Sequence, residues 1–447
     1  MLFTTDQQTL DDLNIFGKHG GDSVYQIFNR TDTRGGALIL EEMFRYPLSD
    51  SESINRRSGT IRHFSIMKTI FPFSPADFDA IEPYLENTDE RTKLSAQEHS
   101  MGQKLGNLIA VDAITGAIYT GITSLVAVLT AMQDFVAVLD LPVDHPYTAE
   151  KEAIAMLLAE DNLQSVLSLP RNTKLSKALY IEFDILFRFR YRKLIKKIIK
   201  YCYELDVYIS AAKVAAERNF VCPIALPNDQ HLMRLNEVYH AQVKNAITNT
   251  IEVKPEGNVI FLTGANMAGK STFMKSVTIA LYLAHMGFPV PAAKMEFSVM
   301  DGIYTTINLP DDLGMGASHF YAEVLRAKKI ANELITRNLF VVFDELFRGT
   351  NVKDACEATI AFTEAFAKKR NSMFVISTHI IEAGEVLKEK CDNINFVYLP
   401  TRMNGNLPLY TYKLEQGLTE DRHGMIIINN EGILDILKEG LKKNIKL

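Results

Sequence analysis

The residues best suited to chemistry are Gly264, Ala265, Asn266, Met267, Ala268, Gly269, Lys270 and Ser271, which fit the spacing G-x-x-x-x-G-K-[ST]. Glycines at 264 and 269 let a loop curl until its backbone N–H groups converge on phosphate oxygens. A helix starting near Lys270 and continuing through Thr272 turns its positive end to the same anion. Lys270 can then reach the terminal phosphates, and the Ser271 hydroxyl can ligate Mg²⁺. A second constellation closes the run Leu339–Phe343. Its five apolar residues predict a buried strand that delivers Asp344 to the metal's coordination shell and Glu345 to the water that attacks the γ-phosphate. A third apolar run, Met373–Ser377, ends in Thr378-His379, where an imidazole can sense that phosphate. Together these residues predict Mg²⁺-dependent ATP hydrolysis.

The elements that must position these groups follow from texture. Short β-branched runs alternate with helical stretches from about 255 to 400, as in βαβ units around a parallel sheet. The phosphate loop follows the apolar run Val259–Leu262 and precedes a helical pattern at Thr272–Leu283. From about 75 to 220 the pattern is helical instead, in Ala76–Glu86, Leu105–Leu139, Thr148–Asp161 and Ile181–Asn219. The stretch Pro223–Asp229 reads as the boundary. The expectation is a mixed chain with an all-α domain over 1–222 and an α/β P-loop ATPase domain over 223–447.

Composition sets limits on function. Hydrophobic residues make up 47 % and charged residues 23 % of the 447-residue chain, enough apolar surface for folded domains. A net charge of −6 argues against a protein coated with cations for nucleic acid or membrane, though it allows a local basic face. Cys202, Cys222, Cys356 and Cys391 form no C-x-x-C pair and read as free thiols of a reducing, cytoplasmic compartment. The first residues lack the apolar stretch of a signal peptide. Ala113–Gln133 carries no charge, but its threonines and flanking Asp112 and Asp134 fit a helix packed among helices better than a membrane span. Within Ile181–Lys200 a continuous helix would align Arg188, Arg192, Lys196 and Lys200, joined by Lys193 and Lys197. That row is either a solvated face or a face laid along phosphates.

The blocks together resemble the MutS mismatch-repair ATPases. TGANMAGKST is similar to that family's TGPNMGGKST phosphate loop. Asp311-Asp312-Leu313 with Gly316, Ser318 and Phe320 resembles its DDL-x-x-G-x-S-x-F block. Asp344-Glu345 with Arg348-Gly349-Thr350 resembles DE-x-x-RGT, and Thr378-His379 its T-H pair. Upstream, Asn29, Thr31, Thr33, Gly36, Pro47-Leu48, Ile54 and Arg56 resemble the opening of the family's helical core, or lever, domain. Glu204–Val207 with Ser210-Ala211 resembles that domain's last helix. Departures include Ala265 in place of proline, Asn351-Val352 in place of Ser-Thr, and Arg422–Met425 in place of the C-terminal S-x-G turn. Tyr239-His240-Ala241 stands where a His-Pro pair is usual, so the adenine-side contact expected of His240 is the weakest part of the likeness.

The resemblance implies an ABC-type ATPase working as a head-to-tail homodimer. Ser318 of one protomer would close over the γ-phosphate held by its partner's loop, and closure would move helical levers. It also implies a DNA partner in repair or recombination. The family's mismatch-reading domain has no counterpart before the core pattern, so recognition of mismatches is not expected. An ATP-switched scaffold gripping a protein without DNA is the alternative; a small-molecule kinase would use the same loop but not the acidic and T-H blocks.

Overall fold

The computed structural model describes residues 2–17, 21–95, 108–142, 144–171, 173–307, 319–347, 349–404, 407–419, 432–433 and 436–437. Helices come first: α1 (Gln7–Asp12), α2 (Val24–Phe28), α3 (Arg34–Arg45), α4 (Ser51–Met67), α5 (Pro75–Glu86), α6 (Leu108–Val138), α7 (Thr148–Leu158), α8 (Gln164–Leu167), α9 (Lys177–Asp184) and α10 (Arg192–Arg218). Strands then alternate with helices: β1 (Ile224–Leu226), β2 (Met233–Val238), β3 (Asn249–Val253), β4 (Val259–Gly264), α11 (Lys270–His285), β5 (Lys294–Ser298), β6 (Gly302–Thr306), α12 (His319–Glu333), β7 (Leu339–Asp344), α13 (Val352–Ala367), β8 (Met373–Ser377), α14 (Ile381–Lys390), β9 (Ile394–Leu399), β10 (Thr401–Asn404), β11 (Leu407–Tyr410) and β12 (Glu415–Gln416).

The chain divides into two compact units that no single cut separates. One contains residues 28–45 and 59–217, the other residues 1–27, 46–58 and 218–447. The boundary expected at 222/223 therefore misses two N-terminal stretches that group with the α/β unit. Helical texture alone assigns a residue to a class of element, not to the body it packs in.

In the helical unit, the sequence blocks around Thr33 and Asp206 meet. The buried Asp206 carboxylate accepts hydrogen bonds from Asp32 N at 2.9 Å, Thr33 N at 2.8 Å and Thr33 Oγ1 at 2.7 Å. Thr33 Oγ1 in turn accepts from Gly36 N at 2.9 Å in the first turn of α3. A Cβ on Gly36 would lie 2.4 Å from Asp206 Oδ2, so this contact requires glycine. Ser210 Oγ donates to Phe28 O at 2.9 Å, one turn further along α10.

Helix α6 buries Ile118, Ile122, Leu125, Leu129 and Met132, spaced to form one stripe, against other helices of its unit. The opposite side carries small residues, among them Gly116, Thr120 and Thr123, in an exposed face. By length and apolar composition Ala113–Val138 is also long enough to cross a bilayer, with 39 % of its apolar 18-residue window buried in the fold.

The run Ile181–Asn219 is not one regular helix. A π-helical turn at Ile185–Arg190 separates α9 from α10. The extra residue in that turn breaks the i, i+4 row expected from the sequence. Arg188 is fully buried, its guanidinium paired with Asp184 at 2.5 and 2.6 Å and donating to Thr92 Oγ1 at 2.9 Å. Arg192 donates to Leu85 O at 2.6 Å, and both Arg192 and Lys196 pair with Glu86. Most of the expected basic row thus holds residues 85–92 in place. A neighbouring set, Arg190, Lys193 and Lys197, faces solvent.

The α/β unit is built on a six-stranded sheet in the order β12-β9-β4-β8-β7-β6, parallel except for the edge strand β12. Strands β4 and β8 are buried along their whole length and β7 along all but its last residue, which is why they read as uninterrupted apolar runs. A separate four-stranded sheet, β1-β5-β2-β3, belongs to the same unit.

Candidate ATP site

Strand order brings the three chemical motifs together. β4, β8 and β7 are adjacent and parallel, so their C-terminal ends, carrying the phosphate loop, His379 and Asp344-Glu345, share one edge of the sheet. Register sharpens this, because Ser377 pairs with Leu262 on one side and Asp344 on the other.

The loop between β4 and α11 has the backbone that the motif requires. Gly264 and Gly269 have φ of 149° and 99°, and Met267 between them has φ of 69°. A Cβ on Gly269 would come within 2.9 Å of the Tyr412 ring. Ala265, Asn266, Met267 and Ala268 form the turn, with Ala268 N donating to Ala265 O at 3.2 Å. Lys270 folds back over it, and its Nζ donates to Gly264 O at 3.0 Å and Ala265 O at 3.3 Å. Burial pulls the Lys270 amine below its usual range, opposed by the nearby charges of Glu345 and Asp344. Thr272 follows in the first turn of α11.

Across the loop, Ser271 Oγ donates to Asp344 Oδ2 at 2.5 Å, and Ser377 Oγ donates to the other carboxylate oxygen. One hydroxyl and one carboxylate oxygen side by side match the oxygen donors that Mg²⁺ takes, with phosphates and water supplying the remainder. Glu345 begins the turn after β7 with φ of 53°, and its N–H donates to Ser377 O at 3.1 Å. Its Oε1 lies 2.5 Å from His379 Nε2, and that nitrogen is 3.4 Å from Lys270 Nζ. Lysine, histidine and glutamate thus form one continuous contact chain beside the loop.

A cavity of about 330 Å³ opens beside the start of α11, lined by His240, Ile247, Asn249, Thr272, Phe273 and Tyr412 among others. His240 is in its wall, and burial, aided by the charge of Lys275, holds its imidazole below the usual value and so neutral near pH 7. Residues 260–445 match the family model of MutS domain V. This region is a MutS domain V. It is an ABC-type ATPase domain, preceded in the chain by the helical region.

Ser318 and the acidic block 311–318 lie outside the described residues, as do Arg348 and Arg422–Met425. The structure brings together the loop residues, Lys270, Ser271, Asp344, Glu345 and His379, with His240 set apart in the cavity beside them. Two residues that touch these groups were not legible from residue type. Ser377 precedes the T-H pair as an ordinary strand serine, yet it holds Asp344. Tyr412 sits in a stretch without a motif and reaches the loop only through the fold.

Proposed function

We propose that this chain is a MutS-type ATPase that binds MgATP at the β4–β8–β7 edge and hydrolyses it with Glu345 as general base. The contact chain Lys270–His379–Glu345 beside the Ser271–Asp344 pair carries this reading. Lys270 and the loop amides hold the β- and γ-phosphates, while Ser271 and Asp344 hold Mg²⁺, which offsets phosphate charge when bound. Glu345 takes the proton of the attacking water, and His379 orients that carboxylate and reports on the γ-phosphate. The cavity beside α11 takes the nucleoside, with the Tyr412 ring and His240 as its aromatic walls. Ser318 acts on the partner's γ-phosphate in a homodimer, so closure requires two chains. ATP titration of the Lys270→Ala variant tests the cradle; unchanged affinity contradicts it.

We further propose that the dimer acts on DNA, with the helical unit as the contacting lever, and that the protein is cytoplasmic. Arg190, Lys193 and Lys197 support this, being exposed and, among the described residues, in no ion pair. Cations so arranged release counterions from a phosphate backbone, giving affinity that falls with salt. Reversing all three to glutamate is expected to remove salt-dependent binding to duplex and branched DNA while ATP turnover without DNA persists. Binding unaltered by that change would favour a different surface, and no binding by the parent at any salt would favour the protein-gripping scaffold.

A further inference from the structure

The outer strand of the ATPase sheet is covered by the start of the chain. Thr4 pairs with Gly302 in parallel, accepting from Ile303 N at 3.0 Å and donating its own N–H to Asp301 O at 2.9 Å. An edge strand with open backbone groups is thereby closed. Two carboxylates, the N-cap Asp6 and the last residue of α1, Asp12, then reach inward. Asp12 Oδ2 accepts from Thr305 Oγ1 at 2.7 Å and Ile307 N at 2.9 Å, at the C-terminal end of β6. Asp6 caps α1 through Thr9 N at 3.1 Å and accepts from Lys329 Nζ at 2.7 Å and from the buried guanidinium of Arg326. Arg326 also donates to Thr305 O at 2.7 Å, so one guanidinium bolts α12 to both α1 and β6.

The first turn of α12 touches the turn that follows β7. Phe320 lies edge-on to Phe347, with ring centroids 6.0 Å apart. A Cβ on Gly349 would come within 2.7 Å of Phe320 N, so helix and turn are in close approach. Phe347 and Glu345 occupy that turn with φ of 66° and 53°. Non-glycine residues hold such angles only where their surroundings enforce them. The surroundings here are the core side of the sheet and the first turn of α12.

We infer that Asp6 is a positioning residue for Glu345, acting through Arg326 and the seating of α12 on the Phe347 turn. Because this rests on Glu345 being the base, the test is run beside Glu345→Gln. Asp6→Asn keeps an acceptor for the α1 cap but removes the charge that seats Arg326. Turnover by Asp6→Asn is expected to fall about tenfold with KM and ATP affinity within about twofold, since small misplacement of a catalytic group costs rate rather than binding. Arg326→Gln is expected to show the same split, and the double variant to be no slower than the worse single one, the mark of two residues sharing one path. Where Asp6→Asn melts early, Arg326→Lys keeps a cation against Asp6 but gives up the guanidinium's second bond to Thr305 O, and about a twofold loss of kcat at unchanged KM is expected. Unchanged kcat in these variants, a parallel loss of ATP affinity, or multiplying effects in the double variant would overturn the inference. Turnover retained in Glu345→Gln would overturn the base assignment and this inference together. Turnover lost there but unchanged in Asp6→Asn would overturn this inference alone.

Discussion

Glu345 and His379 close the site between neighbouring strands: Oε1 of one lies 2.5 Å from Nε2 of the other. The same imidazole nitrogen faces Lys270 Nζ at 3.4 Å. The carboxylate proposed to deprotonate water is thus in direct contact with the histidine proposed to meet the γ-phosphate. Replacing His379 by alanine is therefore expected to lower ATP turnover about 10²-fold while leaving ATP binding within a few-fold. Equilibrium binding and steady-state turnover on one preparation check this, and equal turnover in the two proteins would contradict it.

Tyr412 lines the cavity proposed for the nucleoside and lies against Gly269. Loss of one aromatic stacking surface costs about 1–3 kcal/mol, so Tyr412→Ala is expected to weaken ATP binding about tenfold or more. Tyr412→Phe keeps the ring and is expected to bind as the parent does. Titration with a fluorescent ATP analogue reads both. Equal losses in the two variants would assign the role to the hydroxyl instead.

The helical unit has a comparably tight joint. Asp206 is buried and accepts three hydrogen bonds from Asp32 and Thr33, while burial raises its carboxyl above the usual value. Gly36→Ala sets a methyl group against that carboxylate and is expected to destabilise the unit by about 3 kcal/mol. Denaturant unfolding followed in the helical unit would show an earlier midpoint. A midpoint equal to the parent's would mean that α3 shifts freely, against the contact described.

His285 gives a pH-dependence with a definite sign. It is fully buried, with Nδ1 against Leu48 O at 3.0 Å and Nε2 accepting from Met300 N at 3.4 Å. Burial moves its pKa from 6.5 to about 4, against a smaller opposing effect of the Leu48 contact. The unfolded chain therefore binds a proton that the folded chain refuses between those values. Stability contributed by the neutral ring is intact above pH 6.5 and is lost progressively down to pH 4, by about 3 kcal/mol in all. Thermal melts across that range should show the loss, and a His285→Gln variant should show a shallower dependence. Identical slopes would assign the acid sensitivity elsewhere.

Much of the site could be read from residues because its parts are local. The phosphate loop, the acidic strand end and the T-H pair each need a fixed spacing, and β4, β7 and β8 are buried enough to leave unbroken apolar runs. The rest depends on contacts distant in sequence. Asp6 and Asp12 lie some three hundred positions from Arg326 and Thr305, with no periodicity to announce them. The π-helical turn at Ile185–Arg190 adds one residue to an otherwise regular pattern, which moved Arg188 from an expected surface row into a buried ion pair. Likewise the likeness of the Thr33 and Asp206 blocks to a known core domain gave no reason for those residue types until their hydrogen bonds joined them.

The most direct test of the central assignment compares binding with turnover in Glu345→Gln. The variant keeps the shape of the turn but loses the carboxylate proposed to accept water's proton. ATP is expected to bind within about twofold of the parent, while single-turnover hydrolysis falls by 10²-fold or more, leaving ATP intact on a persistent dimer. Hydrolysis at the parent's rate, with binding unchanged, would contradict the account.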